Sequence, residues 1–115
     1  MQVVEMACPE MLFRLFCAHA VGDMAWQHDW IATRKAPLLD GKYNPFWPWV
    51  LTAHAGICGT TVYIATGVWW LGLAETVAHW VTDALSTRKY ISFAVDQLFH
   101  GVAKIAWLLI WWRLQ

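Results

Sequence analysis

A chain of 115 residues and 13.2 kDa makes one small domain, residues 1–115. Apolar residues make up 59 % of it and charged residues 14 %, where an ordinary soluble domain has about 45–50 % and about 25 %, and so small a sphere has too much surface to hide that surplus from water. A net charge of zero excludes the basic footprint of a nucleic-acid binder, and the hydrophobicity excludes intrinsic disorder; the class left is a small integral membrane protein whose first partner is the lipid bilayer.

No basic residue precedes an apolar run at the N-terminus, which argues against a secretory signal. Cys8 follows Met6 and Ala7 without the long apolar stretch of a lipoprotein signal. Helix one is predicted from Pro9 to about Ile31, apolar except for Arg14, His19, Asp23, Gln27, His28 and Asp29. A polar loop with Asp40-Gly41 and Asn44-Pro45 follows. No Asp, Glu, Lys or Arg occurs from Tyr43 to Ala74, ample for a span of about 20 residues. Pro48 is suited to the first turn of helix two, with Trp47 and Trp49 at one end and Trp69 and Trp70 at the other as interfacial belts. Gly72 is the expected break.

Helix three is predicted from Leu73 to Thr87 and carries Glu75, His79 and Asp83. At about 15 residues it reaches only about 23 Å, short of a hydrocarbon core of about 30 Å. Ser86 to Tyr90, with Arg88 and Lys89, leads into helix four, Ser92 to Trp112, whose Trp107, Trp111 and Trp112 form a second belt. The expected fold is all-α: an integral membrane bundle of about four helices, the third not fully spanning. Arg34, Lys35, Lys42, Arg88 and Lys89 lie in loops one and three, against Arg14 and Arg113 on the other side. That bias places loops one and three in the cytoplasm and the chain in a bacterial inner membrane. Cys8, Cys17 and Cys58 form no Cys-x-x-Cys pair and read as small apolar residues.

The ionisable residues are regularly spaced. His19, Asp23 and Gln27 on helix one, Glu75, His79 and Asp83 on helix three, and Asp96, His100 and Lys104 on helix four each recur every four residues. Each triplet therefore forms one narrow stripe, and helix two adds His54. Charged groups facing lipid are costly, so the stripes must face one another or a wet cavity. Histidines and carboxylates on facing helices are how bundles build metal sites. Imidazole nitrogen and carboxylate oxygen suit a divalent ion such as Zn, Mn or Fe, with His19, Asp23, His54, His79, Asp83, Asp96 and His100 as candidate ligands. Each Asp could instead orient a ligating His. Glu75 is the candidate general base, and Gln97, with Gln27, a donor to an oxyanion or head group. Lys104 is expected to pair with Asp83 or Asp96, or to extend to the interface. A purely structural hydrogen-bond network, or pairs at head-group level, would give the same stripes.

The segments Ala18-His19-Ala20-Val21-Gly22-Asp23 with Gln27 and Asp29-Trp30, then His54, then His79-Trp80-Val81-Thr82-Asp83, and Asp96-Gln97-Leu98-Phe99-His100 give the chain a family likeness. From about residue 12 to 110 it resembles an uncharacterised family of small bacterial and phage integral-membrane proteins, a domain of unknown function. The resemblance implies a compact multi-helix membrane protein with these residues as its shared core, and no activity. The chain departs from that pattern in its Trp-rich ends and long uncharged second span. In its intramembrane His and Asp clusters it is also similar to membrane-bound metal-dependent hydrolases.

Three functions compete. The first is a metal-dependent hydrolase acting on a lipid, a lipid-linked phosphate or a peptide bond near the head groups. The second is a proton or ion pathway. The third is a non-catalytic module, such as a phage factor that binds a host membrane protein. A chain this short has little room for a pocket, so a homodimer through Gly56 and Gly59 is an expected partner arrangement.

Overall fold

A computed structural model describes residues 7–115, and the reading of the extreme N-terminus lies outside the described residues. Helix α1 (Cys8–Ala20) takes Pro9 in its first turn, where the missing N–H costs nothing. It runs into a wider π turn, Val21–Ala25. Trp26 N–H closes that turn on Val21 O at 2.9 Å, and His28 is extended (φ −84°, ψ 170°) before the short helix α2 (Asp29–Arg34). The single helix expected from Pro9 to Ile31 is thus interrupted, because a five-residue turn followed by an extended residue resets the chain direction.

A two-stranded hairpin follows: β1 (Leu38–Leu39) pairs antiparallel with β2 (Lys42–Tyr43). Its turn residues Asp40 (φ 51°) and Gly41 (φ 75°) both take positive φ, as a tight hairpin turn requires. Three long helices complete the chain: α3 (Trp47–Thr66), α4 (Trp69–Thr87) and α5 (Phe93–Arg113). Pro48 lies in the first turn of α3, and the Ser92 hydroxyl caps α5 by accepting from Val95 N–H.

Two boundaries differ from expectation. The break after the second span is at Gly67, left-handed at φ 72°, where glycine avoids the Cβ penalty. Trp69 and Trp70 therefore open α4 rather than closing the helix before it. The helix expected as the third, α4, gains a turn and has 19 residues, about 28 Å at 1.5 Å each, which narrows the expected shortfall. Gly72 lies inside α4, pressed against α3: a Cβ there would sit 2.7 Å from Gly59 O and 2.9 Å from Tyr63 Cβ. Gly59 is thereby used within the chain, leaving Gly56 as the open glycine of the expected dimer face.

The helices close a ring, α1 on α3, α3 on α4, α4 on α5 and α5 on α1, with α3 and α4 sharing the largest interface. The all-α expectation holds, with α2 and the hairpin added to the four larger helices. Inside the ring the usual distribution is inverted. Among the described residues, twelve polar or charged and eleven apolar ones are buried. The apolar ones include a cluster of Met11, Leu15, Val62, Leu71 and Trp111 at one end, backed by Ala65, Val68, Trp107 and Leu108. Outside, Phe13, Trp49, Ile64, Leu73, Val77, Leu98, Val102 and Leu109 are all exposed. By length and composition one described helix, Phe93–Arg113, is apolar enough to cross a membrane.

Candidate metal centre

Every ionisable stripe faces inward. Asp23 on the π turn, His54 on α3, Glu75, His79 and Asp83 on α4, and Asp96, His100 and Lys104 on α5 are all buried. Gly22 lets the π turn approach α3 closely, since a Cβ there would lie 3.1 Å from Cys58 Sγ. That approach carries Asp23 onto His54.

The nitrogens and oxygens then converge. His54 Nε2 is 3.1 Å from His79 Nε2 and 3.2 Å from both Asp23 Oδ1 and Asp83 Oδ2. His79 Nε2 is 3.5 Å from Asp23 Oδ1 and 3.4 Å from Asp83 Oδ2. A tetrahedral ion with bonds of about 2.0–2.1 Å has donor–donor edges of about 3.3–3.4 Å, so each of these pairs is close enough for two donors to share an ion. His100 stacks on His79 with ring centroids 4.2 Å apart, and its Nε2 is 3.3 Å from Asp83 Oδ1 and 3.4 Å from Asp96 Oδ1. Buried at 1 % exposure, that nitrogen has no hydrogen-bond partner despite those oxygens. Buried polar atoms are seldom left so; a nitrogen ringed by carboxylates but bonded to none suits a cation. Two overlapping four-residue sets emerge, Asp23–His54–Cys58–His79 and Asp23–His79–Asp83–His100, in each of which every donor lies within 4.8 Å of the others.

Other predicted residues surround these sets. His19 Nε2 is 3.1 Å from Gln97 Oε1 and 3.8 Å from Asp23 Oδ2. His19 lies outside both four-donor sets, with Nε2 on Gln97 and Nδ1 buried without a partner. Gln97 in turn donates to Asp96 Oδ2 at 3.1 Å, which leaves Asp96 Oδ1, also partnerless, toward His100. Glu75 is not placed as a general base. Its Oε1 accepts from Lys104 Nζ at 2.6 Å and lies 3.3 Å from His79 Nδ1, while its Oε2 accepts from Trp107 Nε1. Lys104 therefore pairs with Glu75, not with Asp83 or Asp96.

Two residues at the site have other readings in the sequence, Cys58 as a small apolar residue and Lys35 as a loop cation. Cys58 Sγ lies 3.5 Å from His79 Nε2, and the signal was available: it follows His54 by four residues, the spacing of every other stripe. Lys35 reaches from the end of α2 to Asp83 Oδ2 at 2.7 Å and also donates to Gln27; a loop cation carries no periodic signal. The buried groups comprise four carboxylates and two ammonium groups, an excess of two negative charges that either protonated histidines or one divalent ion would balance. A cleft of 460 Å³ reaches Asp23, Asp83 and Asp96 from the α2 end of the bundle, past Gln27, Lys35 and Gln97. The opposite end is sealed by the Met11–Trp111 cluster.

Comparison with known proteins does not extend this picture: no protein-family model, curated protein or solved structure matches the chain.

Proposed function

We propose that this chain is a membrane-embedded divalent-metal protein, and that its open site hydrolyses a lipid or lipid-linked substrate. The observation that carries the metal is the buried set Asp23, His79, Asp83 and His100, each offering a donor within 4.8 Å of the others, with His54 Nε2 3.1 Å from His79 Nε2. Membrane placement is supported by the inversion of burial, since a polar core inside a surface of exposed Phe, Trp, Ile, Leu and Val matches lipid as solvent. The hairpin and the α4–α5 turn line one pocket, through Leu38, Gly41, Arg88 and Lys89; these are the expected cytoplasmic loops, here on one end of the bundle.

A divalent ion held by these residues would supply an activated water, its pKa lowered to about 7. The chain supplies the rest. Glu75 fixes the His79 ring through Nδ1, directing Nε2 inward. Asp96 Oδ1, buried beside the cleft and without a hydrogen bond, would be the base for that water's proton. The cleft admits water and substrate from one end only. That dead end favours hydrolysis over a proton pathway, which needs polar groups through both ends.

Metal content of the detergent-purified protein, measured by mass spectrometry, tests this reading. One divalent ion per chain is expected, lost in a His79→Ala, His100→Ala variant that keeps its helical circular dichroism. A wild type free of metal after purification without chelators, and unable to take up added zinc, refutes it.

A further inference from the structure

Among the described residues Lys35 is the one buried cation lining the cleft, and its partner is a residue of the metal set. Its Nζ lies 2.7 Å from Asp83 Oδ2, the same oxygen that lies 3.2 Å from His54 Nε2 and 3.4 Å from His79 Nε2. An ion bound by that oxygen at about 2.0–2.2 Å lies within about 5 Å of the ammonium. Asp83 itself lies between these two charges, and Lys35, which donates to Asp83 Oδ2 and Gln27 Oε1, has its third N–H left for an oxyanion in the cleft. The cleft wall adds donors suited to oxygen atoms, the amides of Gln27 and Gln97 and the hydroxyls of Ser86 and Thr87.

Resting on the metal reading above, we infer that the cleft takes a phosphate-type oxyanion, a phosphomonoester or phosphodiester, with its oxygens bridging the metal and Lys35. A neutral amide or ester offers a buried ammonium only a carbonyl oxygen, whereas a phosphate offers anionic oxygens and gains the stronger charge-assisted hydrogen bond. The 460 Å³ of the cleft exceeds the needs of one phosphate and accommodates its substituent. Met24 and Phe93 stand at its mouth, both strongly exposed, so the apolar outer surface runs up to the lip and a lipid phosphate can enter from the head-group layer.

Titration calorimetry with inorganic phosphate tests the proposal on three samples: zinc-loaded wild type, metal-free wild type, and zinc-loaded Lys35→Met. Zinc content is measured separately on each. Phosphate is expected to bind the zinc-loaded wild type, not the metal-free protein, and to bind Lys35→Met at least tenfold more weakly at unchanged zinc content. Lys35→Arg should recover most of the affinity. Equal affinity in Lys35→Met, or no phosphate binding by wild type shown to hold zinc, overturns the inference and leaves the metal reading standing. A wild type that holds no zinc overturns both. Should Lys35→Met fail to fold, the visible spectrum of cobalt-loaded wild type decides: phosphate must shift it, and an unchanged spectrum at saturating phosphate overturns the bridge. Short-chain phosphatidic acid binding more tightly than inorganic phosphate assigns the site to a lipid head group; equal affinities assign it to a soluble phosphate.

Discussion

The Nδ1 of His79 lies 3.3 Å from Glu75 Oε1, one turn back along α4, and the same oxygen accepts from Lys104 Nζ at 2.6 Å. The carboxylate thus fixes the imidazole with its proton on Nδ1 and its lone pair on Nε2, toward the other donors. Partners of this kind affect metal affinity by about 10–100-fold. Glu75→Gln should therefore weaken zinc binding by that range while keeping one ion per chain at saturation, measured by competition with a chelator. Unchanged affinity would remove Glu75 from the centre.

Lys104 and Glu75 are each 1 % exposed, so either one left alone is an uncompensated buried charge. Breaking such a pair costs about 3–5 kcal/mol, whereas replacing both partners by neutral groups costs far less. Glu75→Gln and Lys104→Met should each lower the unfolding temperature strongly, and the double variant should lie closer to wild type than either. Thermal unfolding in detergent provides the check; additive losses would show that the two charges are independent.

The inward stripes were legible because residues four apart share a helix face whatever surrounds them, and that placed Asp23, His79, Asp83 and His100, while His54 reads as the lone histidine of an uncharged span. What broke the reading was local geometry. The π turn Val21–Ala25 shifts the pitch, so Gln27 leaves the stripe of His19 and Asp23 and instead bonds Lys35. Gly67 rather than Gly72 ends α3, because a left-handed cap needs a glycine just past the last turn, while Gly72 serves a helix contact that no local pattern reveals. The Glu75–Lys104 pairing joins two helices, and its partner choice depends on how α4 and α5 are staggered, which the period of one helix does not contain.

Gly59 and Gly56 separate a packing role from an exposed one. A Cβ on Gly59 would overlap Thr76 Oγ1 and Gly72 O, while one on Gly56 meets nothing within 4 Å. Gly59→Ala should destabilise by at least the ~1–3 kcal/mol of an overpacked core. Gly56→Ala should be neutral or stabilising by up to ~1 kcal/mol, the helix preference of alanine over glycine. Unfolding midpoints of the two variants side by side test the close α3–α4 approach, and a tolerated Gly59→Ala would contradict it.

Cys58 belongs to the four-donor set that lacks Asp83 and His100. The two sets share Asp23 and His79, and the cleft reaches Asp23 and Asp83 but not Cys58. Charge also favours the set with two carboxylates, since Cys58 adds a negative charge only after losing a proton. Asp83→Asn should then lower zinc affinity by a factor of ten or more, while Cys58→Ser keeps both stoichiometry and affinity within a few-fold. A cobalt-loaded protein should show no thiolate-to-metal charge-transfer band; such a band, lost in Cys58→Ser, would move the ion to the thiol set.

The polar core ends abruptly at Glu75 and Lys104. One turn below Glu75 lies Leu71 at 0 % exposure, and seven residues beyond Lys104 lies Trp111 at 4 %, packed with Met11, Leu15 and Val62. A proton entering through the cleft meets no ionisable side chain in that cluster, so vesicles containing the protein should carry no proton flux above empty ones under an imposed pH gradient. Trp111→Ala removes the largest part of the seal and should cost about 3–5 kcal/mol as a large-to-small core change. Its unfolding temperature should fall while zinc content holds, because Trp111 touches none of the donors. Proton flux through wild-type vesicles would instead favour a relay, with the His and Asp groups carrying protons rather than an ion.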